Sequence, residues 1–148
     1  MRNASCGEFA LCLMLRKSLP AVRGLLAEYT EDKWYDPDGS IAPNGIAGTV
    51  AANAITAVLI DCGYRTWDLF INNRKTVAQC AAFAAKRNPG EPIIGYIKTH
   101  VHVMRDGKIY DPEFPEGTPA ADCPFADEPV ELLTRIRPAR PSMAGTSV

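Results

Sequence analysis

No sign of charge dominates this 148-residue chain. Its 16 Lys and Arg stand against 17 Asp and Glu, a formal charge of −1. The electrostatic footprint of a nucleic-acid or anionic-membrane binder is therefore missing. Long hydrophobic runs are missing too. The longest, near residues 9–15 and 50–60, fall short of the roughly 20 apolar residues that a membrane-crossing helix needs. A secretory leader is imitated but not completed: Arg2 precedes the first apolar stretch, Glu8 interrupts the approach, and no small-x-small cleavage site follows. The cysteine count is odd, at five, with no regular spacing, which excludes a fully paired disulfide framework. No CxxC pair or Cys/His ladder offers structural zinc. The expectation is a set of free thiols in a reducing cytoplasm. Histidine is scarce, with two in the whole chain.

What is present describes an ordinary globular protein, 47% apolar and 22% charged. The length suits one domain, expected over residues 1–137, with 138–148 as a mobile tail. Ser5-Cys6-Gly7-Glu8 reads as a capping box that opens a buried helix over about residues 6–18, with Arg16 and Lys17 in its last turn. Pro20 fits the first turn of a second helix, 20–29. Residues 30–48 are dense in turn formers, Ala42-Pro43-Asn44-Gly45 among them. A third helix is expected over 46–61, ending at Gly63, and a short strand over 67–71. A fourth helix, capped by Asn72 or Asn73, runs to Arg87 and turns Val77, Cys80, Ala81 and Ala84 inward. Strand character follows over 93–104, with His100 and His102 on one face. Asp106-Gly107 signals a two-residue hairpin turn into a strand over 109–111. Residues 112–129, rich in proline, read as loop, and 130–137 as a last strand. Helices followed by an antiparallel sheet define an α+β fold.

Cys6 is the first candidate for chemistry. The capping box puts it at the start of a helix, where unpaired N–H groups and the positive dipole end stabilise a thiolate. Cys12 and Cys80 fall mid-helix among apolar residues, Cys62 lies at a helix C-terminus, and Cys123 sits in a proline-rich loop with no activating neighbour. The histidines supply a base. If Asp106-Gly107 forms the turn, paired positions sum to about 213, so His102 faces Asp111 and His100 faces Glu113. Asp111 is then placed to orient the His102 imidazole, with His100 and Glu113 as the second choice. His-x-His with a nearby carboxylate also offers a metal-site alternative. Trp34-Tyr35-Asp36-Pro37-Asp38-Gly39 is either an ordinary surface turn or the wall of a substrate cleft.

Ser5-Cys6-Gly7-Glu8-Phe9-Ala10-Leu11, His100-Val101-His102-Val103-Met104 and Gly107-Lys108-Ile109-Tyr110-Asp111-Pro112 together resemble the papain-like cysteine peptidase superfamily. The nearest echoes are the bacteriocin-processing C39-type peptidases and transglutaminase-like proteins. The resemblance spans about residues 5–112. It implies a papain-like domain whose helix-borne thiol meets a histidine on the sheet, with Cys6 as nucleophile, His102 as base and Asp111 as orienting carboxylate. The Gln that usually precedes the Cys in such peptidases is absent here, so Asn3 or the backbone N–H groups of Cys6 and Gly7 would supply the oxyanion donors. The expected activity is thiol-dependent hydrolysis of an amide in a peptide or protein substrate, with no cofactor. Acyl transfer on the same residues and a non-catalytic binding or inhibitor module are the alternatives.

Overall fold

Ser5 opens the first helix as the sequence predicts. In the computed structural model, which describes residues 4–40, 45–98 and 100–139, its side chain accepts from Glu8 N–H and the Glu8 carboxylate accepts from Ser5 N–H. Helix α1 (Cys6–Leu15) follows, and Arg16 ends it in the left-handed conformation at φ 54°. Arg16 and Lys17 therefore lie beyond the helix rather than in its last turn. Ser18 caps α2 (Leu19–Leu26), with Pro20 in its first turn. A short 3-10 turn, Ala27–Tyr29, continues it.

The next segment departs from expectation. Tyr35–Asp36 (β1) and Thr49–Val50 (β2) pair as a small antiparallel ribbon. Helix α3 (Ala52–Asp61) starts six residues later than predicted, and Gly63, at φ 94°, follows its end. The predicted turn residues Ala42, Pro43 and Asn44 lie outside the described residues. Helix α4 (Val77–Arg87) is capped by Thr76 and Gln79, not by Asn72 or Asn73. Its inward residues Val77, Cys80, Ala81 and Ala84 are buried, as the apolar spacing requires.

Six antiparallel strands form the main sheet: β3 (Tyr64–Phe70), β4 (Ile93–Ile97), β5 (His100–Arg105), β6 (Lys108–Asp111), β7 (Phe114–Pro119) and β8 (Leu132–Pro138). Their spatial order is β3-β8-β4-β5-β6-β7. The stretch read as one strand over 93–104 is two strands that reverse between Ile97 and His100. The β5–β6 register, Val103 opposite Tyr110 and Met104 opposite Ile109, is the one the Asp106-Gly107 turn predicts. Both turn residues have positive φ, 52° and 81°, as a type I′ hairpin turn demands. β7 runs through residues read as loop.

The fold is thus α+β, but its helices do not all gather on one side. α1, α2 and α3 bury Leu11, Leu26, Ile55 and Leu59 against Ile94, Val101, Val103 and Ile136 on one face of the sheet. α4 and the segment after β7 cover the other, where Ile93, Met104, Ile109 and Leu133 meet Val77, Ala81, Cys123 and Val130. Each such aliphatic side chain contributes about 1.5–3 kcal/mol relative to exposure. The sheet therefore lies between two cores, and period-2 alternation assigns each strand residue to one of them. Among the described residues no helix is long and apolar enough to cross a membrane.

Candidate active site

Strand alternation directs His100, His102 and Asp111 to the α4 face, whereas α1 packs against the opposite one. The two meet at the end of the sheet. His100 is the first residue of β5, and the α1 N-terminus arrives beside it, so its imidazole is accessible to Cys6 from across the strand end. Burial alone would push the Cys6 thiol up. The His100 imidazole, together with backbone groups of Val101 and Gly7, overcomes that cost and holds it below the ordinary cysteine value.

His100 Nε2 lies 3.0 Å from Asp111 Oδ2, which leaves Nδ1 as the nitrogen that can serve the thiol. Asp111 is itself fixed. Its Oδ1 accepts from the backbone N–H groups of Glu113 and Phe114, both at 2.9 Å. Burial works against its charge, but the His100 bond and those two N–H groups hold the carboxyl below the usual carboxylate range. Desolvation likewise opposes charge on His100, yet bonding to Asp111 and Cys6 pushes its pKa up to about 9. Both shifts run in the direction that favours a thiolate–imidazolium pair over the neutral pair, with a carboxylate behind it.

His102, expected to be the base, is not in this constellation. It is 1% exposed, and neither ring nitrogen has a hydrogen-bond partner among the described residues. Burial pushes its pKa down to about 3, with His100 adding repulsion, so it is a neutral imidazole at physiological pH. It stacks behind His100 with ring centroids 6.4 Å apart, and Phe125 lies against both rings at 4.8 and 5.2 Å. A Cβ on Gly95 would fall 2.4 Å from His102 Nε2. Gly95 therefore makes the room this ring occupies. The β5–β6 register follows the expected pairing from Arg105–Lys108 to Val103–Tyr110, but the Asp111 carboxylate reaches to His100, one side-chain position further along the face than that pairing implies.

Gly7 is buried at the second position of α1, packed so closely that a Cβ would lie 2.9 Å from Val50 Cβ. Asn3 lies outside the described residues. The Glu113 side chain is exposed and does not pair with His100; it rims a cavity of about 350 Å³ beside that ring, with Pro124, Phe125 and Glu128. For the metal alternative, no group of three or more His, Cys, Asp or Glu side chains able to hold a metal ion is found among the described residues. Tyr35 is buried rather than walling a cleft, and its hydroxyl donates to Glu8 Oε2 at 2.6 Å. All five cysteines are free, and burial raises the thiols of Cys12, Cys80 and Cys123.

Sequence reasoning missed two supports of the site. One is Phe125, whose role depends on a loop fold that its neighbours do not announce. The other is the second use of Glu8, which is 1% exposed and bonds Arg23 and Tyr35 as well as capping α1. A carboxylate inside an apolar run was the available signal for this, because such a charge is rarely buried without partners. No protein-family model, curated protein or solved structure matches this chain.

Proposed function

We propose that the chain is a thiol-dependent hydrolase of the papain-like kind, acting on an amide bond of a peptide or protein substrate. The observation that carries this reading is the run Cys6–His100–Asp111: an acidified thiol at a helix start, an imidazole of raised pKa, and a carboxylate fixed by two backbone N–H groups. Cys6 Sγ attacks the amide carbonyl carbon, forming a C–S bond. His100 gives its proton to the amide nitrogen as the C–N bond breaks, releasing the amine and leaving a thioester. A water then loses a proton to His100 and attacks the thioester carbonyl. The acid leaves, and the proton on His100 restores the ion pair with the departing thiolate. The Cys6 backbone N–H, unpaired within the helix, is the donor available to the oxyanion.

Cys6→Ala and His100→Ala proteins, assayed beside the parent on a peptide library read by mass spectrometry, test this directly. Cleavage by the parent that both substitutions abolish is the expected result. Cleavage that survives Cys6→Ala overturns the reading. Peptide products joined to an added amine, in place of free acids, would move the assignment to acyl transfer on the same three residues.

A further inference from the structure

The sheet has two edges, and they are defended unequally. β7 carries Pro115 and Pro119, and its register with β6 shifts between Ile109 and Asp111. Prolines and bulges are the usual means of blocking a strand edge. β3 has neither. Its seven residues contain no proline or glycine, and among the described residues it pairs with β8 alone. Ile71 N–H bonds Glu131 C=O on the β8 side at 2.9 Å. Antiparallel alternation then turns the N–H and C=O groups of Thr66, Asp68 and Phe70 outward.

Beside this edge lies apolar surface that α4 leaves uncovered. A groove of about 270 Å³ runs between β3 and α4, floored by Leu69, Ile93 and Leu133 and flanked by Phe83. Leu69 is 54% exposed and Phe83 61%. The charged rim is basic. Lys75 and Arg135 line the groove, and Arg65, on the same face of β3, lies over the Trp67 ring at 5.2 Å. The nearby acid Glu91 is already engaged by Arg135 and Arg137.

We propose that this surface docks an extended segment of a partner protein, apolar at alternate positions and acidic at its ends, which adds a strand to β3. Its backbone would meet the outward groups of β3 while its apolar side chains enter the groove, a known mode of peptide recognition. Acidic residues then fall opposite Arg65 at one end and near Lys75 at the other. A second copy fits less well. On the groove face β3 offers Arg65, Trp67 and Leu69, so a copy would bring another cation to a basic rim. Its one acid, Asp68, lies on the opposite face, accepting from Thr134 Oγ1 at 2.8 Å. The proposal is independent of the thiol chemistry.

The probe is an acetylated, amidated heptapeptide, Glu-Thr-Leu-Thr-Val-Thr-Glu, titrated calorimetrically into the full chain at low salt. The counterpart with both Glu replaced by Lys is the control. The acidic peptide is expected to bind at least roughly tenfold more tightly, a difference of about 1.4 kcal/mol. Leu69→Glu should abolish that binding, and the Arg65→Glu, Lys75→Glu pair should reverse the preference, with circular dichroism confirming each fold. Absence of binding, equal affinity for the two peptides, or indifference to Leu69→Glu overturns the proposal. So does sedimentation showing a dimer of the chain that Leu69→Glu dissociates, which would give the edge to a second copy.

Discussion

Two imidazoles stand two residues apart on the same face of β5, and they are chemically opposite. At the strand end, His100 has a carboxylate on one nitrogen and the Cys6 thiol as a second partner, and its pKa rises to about 9. One pleat inward, His102 has no partner on either nitrogen among the described residues, and its pKa falls to about 3. Residue type and strand face are shared. Position along the strand decides which ring is charged, because only the end of the sheet is open to both α1 and the Asp111 carboxylate.

The contrast predicts unequal responses. The largest should follow His100→Ala: alkylation of Cys6 by iodoacetamide at pH 6 should slow on the order of a hundredfold, as the thiol loses the imidazole that holds its pKa down. His102→Ala should leave that rate within about threefold, since a neutral buried ring supplies no charge. Labelling kinetics read by mass spectrometry separate the two, and equal losses would erase the comparison. Next, Gly95→Ala should lower unfolding free energy in urea by about 1–3 kcal/mol, because the new methyl intrudes on His102. Adding His102→Ala to that variant should relieve part of the loss, a coupling that a general strand defect would not show. Asp111→Asn should slow Cys6 alkylation roughly tenfold while preserving the fold, because an amide replaces the charge that favours His100 in its protonated form.

The smallest effect is in stability against pH, where the two rings act in separate windows. An unfolded histidine titrates near 6.5. The folded value of His102 is depressed, so unfolding takes up a proton there as the pH falls from about 6.5 towards 3, and stability declines over that range. The folded value of His100 is raised, so its contribution is complete below about 6.5 and is lost as pH rises through about 9. Urea midpoints measured across pH should therefore peak near neutrality. His102→Leu should flatten the acid limb alone, and His100→Gln the alkaline limb alone.

Much of the frame was legible because local signals and tertiary demands agree. The Ser5–Glu8 box specifies the start of α1, and with it the helix position that suits a reactive thiol. Asp106-Gly107 specifies the hairpin, and its arithmetic gives the observed register. The choice of histidine was not legible. Pairing tells which residues share a face, but not where along a strand a helix from the other face arrives, nor that Phe125 closes over the inner ring. Gly95 did carry a signal, since glycine inside a strand often marks a close approach. β7 was hidden by its own prolines, which suit an edge strand and mimic a loop. The papain-like comparison rests on the site residues rather than on these strands.

The position of β8 has a consequence for synthesis on the ribosome. Residues 132–138 form an interior strand, laddered to β3 on one side and to β4 on the other. Until they leave the exit tunnel, β3 has no neighbour in the sheet, and β4 exposes the side that β8 will cover. The hairpins made by β4 to β7 can assemble earlier, since their pairings join consecutive strands. The Cys6 helix emerges first, yet the sheet against which it packs is completed last. A nascent chain stalled before residue 132 should accordingly be digested by protease at the β3 region, and one stalled well beyond 138 should resist.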